Sequence, residues 1–154
     1  MNISPRVFAV LLFVLVPALF AEDELNLNPD GIALKGMDPV SYFSGDGPMK
    51  GSASFTLNHD GAVYRFTSEK NRELFKAAPV QYLPAYGGWC SYGITQGKKL
   101  NIDPDAWVLV DGKLYLQLNL GTQKVWNGNQ QRNIEIADRL WPEISKAPAS
   151  ALNE

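Results

Sequence analysis

The sequence predicts an α+β domain, in which a small antiparallel sheet of two β-hairpins packs against several helices, a long C-terminal helix among them. Three observations carry that prediction. Short alternating runs over residues 54–57 and 62–67 flank Asn58-His59-Asp60-Gly61, and a second pair over 107–110 and 113–118 flanks Asp111-Gly112. Glycine supplies the positive φ that a tight hairpin loop needs, and Asp-Gly between alternating runs is a strong short-range hairpin signal. After the second pair, Val125, Trp126, Ile134, Ala137, Leu140 and Trp141 fall near one stripe of a helix. Hairpins with helices between and after them bury a sheet face under those helices.

The elements follow in order. Arg6 precedes an apolar run over residues 7–20, Pro17 interrupts that run, and Ala21 is followed by Glu22-Asp23-Glu24. This is the pattern of a secretory leader cleaved after Ala21, because the run is shorter than the roughly 20 residues that cross a bilayer. The expected location is the periplasm or the exterior, with a membrane touched only through an uncleaved leader. Residues 22–34 are expected to be an irregular lead-in and residues 35–142 one domain. Asp38-Pro39 starts a short helix: the carboxylate caps free N–H groups, and proline at the first position has no N–H to lose. Val40, Tyr42 and Phe43 give that helix an apolar side, and Gly45-Asp46-Gly47-Pro48 ends it. Gly45, Gly47 and Gly51 miss the spacing of a phosphate-binding loop and read as a plain loop.

Beyond the first hairpin, Ser68 caps a helix over residues 69–77 whose buried side holds Leu74 and Phe75, and Pro79 closes it. Pro84 separates a turn at Gln81-Tyr82-Leu83 from Ala85-Tyr86, and a short helix is expected over 88–96 with Gly97 as its stop. After the second hairpin, Thr122 caps the long helix, Gly128 is its weak point and Pro142 ends it. Residues 143–154 read as a disordered tail. No internal repeat is found.

The chain has 14 Lys and Arg against 16 Asp and Glu. Scattered as they are, they form no basic stripe of the kind that tracks phosphates, so nucleic acid is excluded as a partner. A single cysteine, Cys90, cannot form an internal disulfide, and stability is left to packing by four Trp, six Tyr and seven Phe. Cys90 directly follows Gly87-Gly88-Trp89 and is either an inert core thiol or a working sulfur.

Read in order, Gly36-Met37-Asp38-Pro39-Val40, Tyr64-Arg65-Phe66, Ser68-Glu69, Phe75, Pro79, Tyr82-Leu83-Pro84 and Tyr86-Gly87-Gly88-Trp89-Cys90 resemble a YHS domain. More narrowly, with Gly112-Lys113-Leu114-Tyr115-Leu116 and the Trp-rich terminal helix, the chain resembles the exported, cysteine-poor YHS-domain proteins of bacteria, over residues 34–142. The resemblance implies an accessory or binding role. The wider family is associated with heavy metals through cysteines whose aligned positions here are Ser41, Thr67 and Asn71, so that implication does not carry over.

Three readings of the site remain open. The first is a non-catalytic binding module at the turn of Tyr86, Gly87, Gly88, Trp89 and Cys90, with Asp38 and Tyr42 as neighbours and a small ligand or partner protein as occupant. Glycines beside a reactive residue let something approach, and aromatic rings form walls. The second is soft-metal binding, copper or zinc, by Cys90 with His59, Met37 or Met49, although no two of these lie at a CxxC or HxxxH spacing. The third is a thiol enzyme, with Cys90 activated in the first turn of a helix and His59 the only histidine available as a base.

Overall fold

A computed structural model describes residues 23–154, so the expected leader over residues 1–21 lies outside the described residues. Both hairpins form. β1 (Ser52–His59) pairs antiparallel with β2 (Ala62–Phe66), followed by α1 (Glu69–Ala77) and α2 (Pro79–Tyr82). α3 (Ser91–Thr95) precedes the second hairpin, β3 (Asp103–Val110) with β4 (Lys113–Gln117), and α4 (Leu120–Asn127), α5 (Gln130–Ile144) and α6 (Ala149–Leu152) complete the chain. The architecture is α+β, with each hairpin a separate two-stranded sheet. β1 runs two residues further than its alternation suggested, which reduces the first loop to Asp60-Gly61. Both hairpins therefore turn on a two-residue Asp-Gly loop with φ positive at each position: 46° and 84° in the first, 49° and 74° in the second. Such turns match the right-handed twist of the flanking strands.

The two hairpins sit in two structurally parallel units, although the sequence itself shows no internal repeat. Their registers superimpose at a constant offset of 51 residues, as from Ser52 to Asp103, and each carries its irregularity at the same place, between Ser52 and Thr56 and between Asp103 and Trp107. Upstream, each copy starts with a parallel bridge to its own hairpin, Ile32 to Val63 and Pro84 to Leu114. Three consecutive left-handed residues follow, Leu34, Lys35 and Gly36 (φ 55°, 52° and 81°) and Tyr86, Gly87 and Gly88 (53°, 61° and 82°). The next residues but one, Asp38 and Cys90, donate their N–H to Met49 and Leu100. Downstream, Ser68 and Asn119 cap α1 and α4, and each helix presents an exposed aliphatic followed by a buried aromatic, Leu74-Phe75 and Val125-Trp126. Upstream of the hairpins the offset is 52, and the positions so matched share few identities, among them Ala33/Ala85, Gly36/Gly88, Asp60/Asp111, Gly61/Gly112 and Tyr64/Tyr115. That is too few to mark a repeat in the sequence.

Several expected boundaries move, each for a local reason. The helix expected from Pro39 is a single 3-10 turn, Ser41–Phe43. The helix expected over 88–96 starts at Ser91, because Gly87 and Gly88 are left-handed and Trp89 is extended. Leu74 is 40 % exposed, and Phe75 alone anchors α1. The long C-terminal helix divides at Gly128-Asn129, where the Asn129 side chain accepts from the Arg132 N–H and caps α5; Asn119 rather than Thr122 caps α4. Pro142 does not end α5. Late in a helix, a missing N–H forfeits one hydrogen bond, and the Ser145 N–H still closes on the Trp141 carbonyl at 2.8 Å. The expected disordered tail instead forms α6, held by Ala149 N–H on the Asp23 carboxylate (2.7 Å) and by Asn153 on the backbone of Lys99.

The apolar interior has two parts. One gathers Tyr42, Tyr64, Phe66, Phe75, Leu114 and Leu116 between the hairpins. The other gathers Tyr86, Ile94, Tyr115 and Trp126 with Ala137 of α5, which packs chiefly against α3. Among the described residues no helix is long and apolar enough to cross a membrane.

Candidate functional site

At the glycine bend, what approaches is the chain itself. Asn26 donates its N–H to the Gly87 carbonyl (2.9 Å) and its side-chain amide to Gly88 (3.1 Å). A β-carbon on Gly87 would lie 2.0 Å from the Glu24 carbonyl oxygen, far inside contact distance. The lead-in is thus a strap seated on the bend, and the Trp89 indole N–H holds it by the Asp23 carbonyl (3.1 Å). Gly87 is glycine for this packing and for its positive φ.

Cys90 is fully buried. It is the N-cap of α3: its sulfur accepts from the Gly93 N–H (3.4 Å) and from the Leu118 N–H just before α4 (3.2 Å), and lies 3.7 Å from Gln117 Oε1. Burial pushes its thiol pKa up, against the pull of backbone N–H groups at Gly93, Leu118 and Tyr92. This is the reverse of an activated thiolate.

Asp38 holds the equivalent place in the first copy and is also fully buried. Its Oδ1 accepts from Val40 N–H (2.8 Å), and its Oδ2 accepts from the N–H and hydroxyl of Thr67 (both 2.8 Å) and from Asn71 Nδ2 (2.7 Å). The Ser41 hydroxyl donates to the Asp38 carbonyl (2.6 Å). Of Ser41, Thr67 and Asn71, the positions where the resemblance called for cysteines, Thr67 and Asn71 thus meet on the Asp38 carboxylate and Ser41 on its backbone carbonyl. In both copies one acceptor side chain ties the left-handed turn to the start of the following helix, and this accounts for Asp38 and Cys90 as structural anchors.

Tyr42 does not border the bend. Its hydroxyl donates to the Pro104 carbonyl (3.2 Å), its ring meets Trp107 edge-on, and burial followed by Asp105 and Asp103 raises its pKa well above the usual phenol range. Tyr86 donates to Asp138 on α5 (2.8 Å), and burial first, then that hydrogen bond, raises its pKa likewise. The soft-ligand candidates sit on separate elements. His59 ends β1 with its ring edge-on to Phe75 and 3.3 Å from the Asp60 carboxylate, Met37 follows the first left-handed turn, and Met49 is exposed. No group of three or more His, Cys, Asp or Glu that could hold a metal is gathered among the described residues.

Lys99 carried no signal in the sequence. It is buried, and its ammonium donates to the carbonyls of Asp23 (2.7 Å), Ser145 (2.6 Å) and Ala147 (2.7 Å) between the rings of Trp89 and Trp141. Desolvation lowers its pKa, opposed by Asp23 and Glu24. The clasp joins the strap to the end of α5.

Beside it opens a cleft of about 260 Å³ lined by Glu24 and Leu25 of the strap, Tyr64 of β2, Leu83, Pro84, Tyr86 and Gly87 of the bend, Lys113 of β4 and Trp141 of α5. It lies at the seam between the two copies. Of the expected site residues it takes Tyr86 and Gly87; Gly88, Trp89, Cys90, Asp38 and Tyr42 do not line it. Its remaining walls come from segments that no spacing in the sequence could have joined. The lining combines aromatic and apolar residues with Glu24 and Lys113, which suits binding. Compared with known proteins, the chain matches no family model, no curated protein and no solved structure.

Proposed function

We propose that this protein is an exported, non-catalytic binding module of the YHS type, which holds a small organic molecule in the cleft beside Tyr86 and Gly87. The observation that carries the reading is the convergence of Tyr64, Tyr86 and Trp141 on one small cleft that also holds two charged side chains. Concave, mostly apolar sites with a few placed polar groups are where small ligands bind. The leader pattern supports export, and the motifs over residues 34–142 support the family. Cys90 and Asp38 serve the scaffold in this reading.

Amide and indole chemical-shift mapping of the full chain against a library of small aromatic and aliphatic fragments tests it. Perturbations should cluster at Leu25, Tyr86, Gly87, Lys113 and the Trp141 indole. A library that perturbs none of these sinks the proposal. Export is tested separately by sequencing the N-terminus of protein recovered from its own compartment, which should begin at Glu22.

A further inference from the structure

The two charges at the cleft come from different segments, Glu24 from the strap and Lys113 from the first position of β4. The ion pairs of the described residues join His59 to Asp60, Arg72 to Glu69 and Glu73, and Lys76 to Glu73. Glu24 and Lys113 are in none of them, and they do not pair with each other. Opposite charges and three aromatic rings lining one small cleft are the complement of a molecule that carries both charges on an apolar body. At about 260 Å³ the cleft is smaller than the roughly 300–1,000 Å³ of drug-sized sites, so its occupant is small. We infer that the cleft takes a zwitterion of amino-acid type, with its carboxylate on Lys113, its ammonium on Glu24 and its apolar side chain among Tyr64, Tyr86 and Trp141.

This inference rests on the cleft reading above and adds the ligand class. A ligand with one charge meets only one of the two cleft charges, so each half of the zwitterion contributes separately to discrimination. Lys113 is half-buried, so partial exclusion of water strengthens its contact relative to an open surface, while Glu24 is exposed.

The test uses the full chain and NMR titration with L-phenylalanine, L-leucine, phenethylamine, 3-phenylpropionate and 2-phenylethanol. At least one of the two amino acids should perturb Gly87, Lys113 and the Trp141 indole. Its affinity should exceed those of the amine and the acid by about fivefold or more, the scale of one partly exposed ion pair. Lys113→Gln should erase the advantage over the amine, and Glu24→Gln the advantage over the acid. If the amine, acid or alcohol perturbs the same residues as strongly as the amino acids do, the zwitterion assignment is overturned and the cleft survives. If no probe perturbs the cleft, the assignment fails together with the binding reading.

Discussion

Replacing Gly87 by alanine separates two accounts of the glycine bend. If the glycine admits a ligand, the free protein should lose only what a left-handed alanine costs. If it seats the strap, the strap must leave. Gly112→Ala serves as the control: its φ is +74° and nothing lies within 4 Å of an added β-carbon, so it should lose only about 1 kcal/mol of strain. At Gly87 the φ is +61° and the new carbon meets backbone, the Glu24 carbonyl at 2.0 Å. Backbone cannot swing aside as a side-chain tip would. Evicting the strap breaks the two bonds from Asn26 and the two that Trp89 and Lys99 make to Asp23, each worth about 1 kcal/mol net. Freed residues regain about 1–2 kcal/mol of backbone entropy apiece, which offsets most of that loss. The lost packing of Leu25 against the core leaves a destabilisation on the order of 1–2 kcal/mol beyond the control, read from urea denaturation at equal m-value. The local signature is sharper, because the Asn26 amide should lose its hydrogen-exchange protection. Equal destabilisation by the two alanines, with Asn26 still protected, would refute the reasoning.

Two further expectations concern the buried groups. Cys90 should resist iodoacetamide in the native chain and react once unfolded, and Cys90→Ala should cost about 1–3 kcal/mol because the buried Gly93 N–H and the part-buried Leu118 N–H lose their acceptor. Fast native alkylation, or an alanine variant as stable as the parent, would contradict that. Tyr42, Tyr64, Tyr86 and Tyr115 all have raised pKa values, Tyr64 to about 12, with burial the leading cause in each. A phenol raised in the folded state stabilises it below the unfolded value near 10 and loses that contribution as pH climbs through the folded value. Absorbance at about 295 nm should therefore show these four titrating together with alkaline unfolding; reversible ionisation of all of them near pH 10 in the folded chain would be the contrary result.

What was legible in the sequence is what neighbours in sequence decide. The Asp111-Gly112 turn, the Ser68 cap, the extent of α1, the Gly97 stop and the weak point at Gly128 each depend on residues a few positions apart, and each stands where expected. The errors at Pro39, Gly88, Thr122 and Pro142 are boundary errors: a left-handed stretch prevailed at Gly88, the Asn119 cap prevailed over Thr122, and α5 absorbs Pro142 at the loss of one hydrogen bond. For the site, the resemblance singled out Asp38 and Cys90 as ligand-facing, and the structure places both as buried acceptors of backbone N–H groups. Their chemistry was misread, because an acceptor that ties backbone N–H groups together inside the fold leaves the same trace in a sequence as one that meets a ligand.

By itself the sequence determined an α+β chain of two hairpins and several helices, since turn, cap and alternation signals act through local backbone geometry. Only the tertiary structure decided that the hairpins are copies of one unit, that the lead-in fills the glycine bend, that Cys90 is sealed, and that Glu24, Tyr64, Tyr86, Lys113 and Trp141 share a cleft. Burial, close approach and charge pairing are set by distances through space, and those distances exist only once segments far apart in the chain have packed.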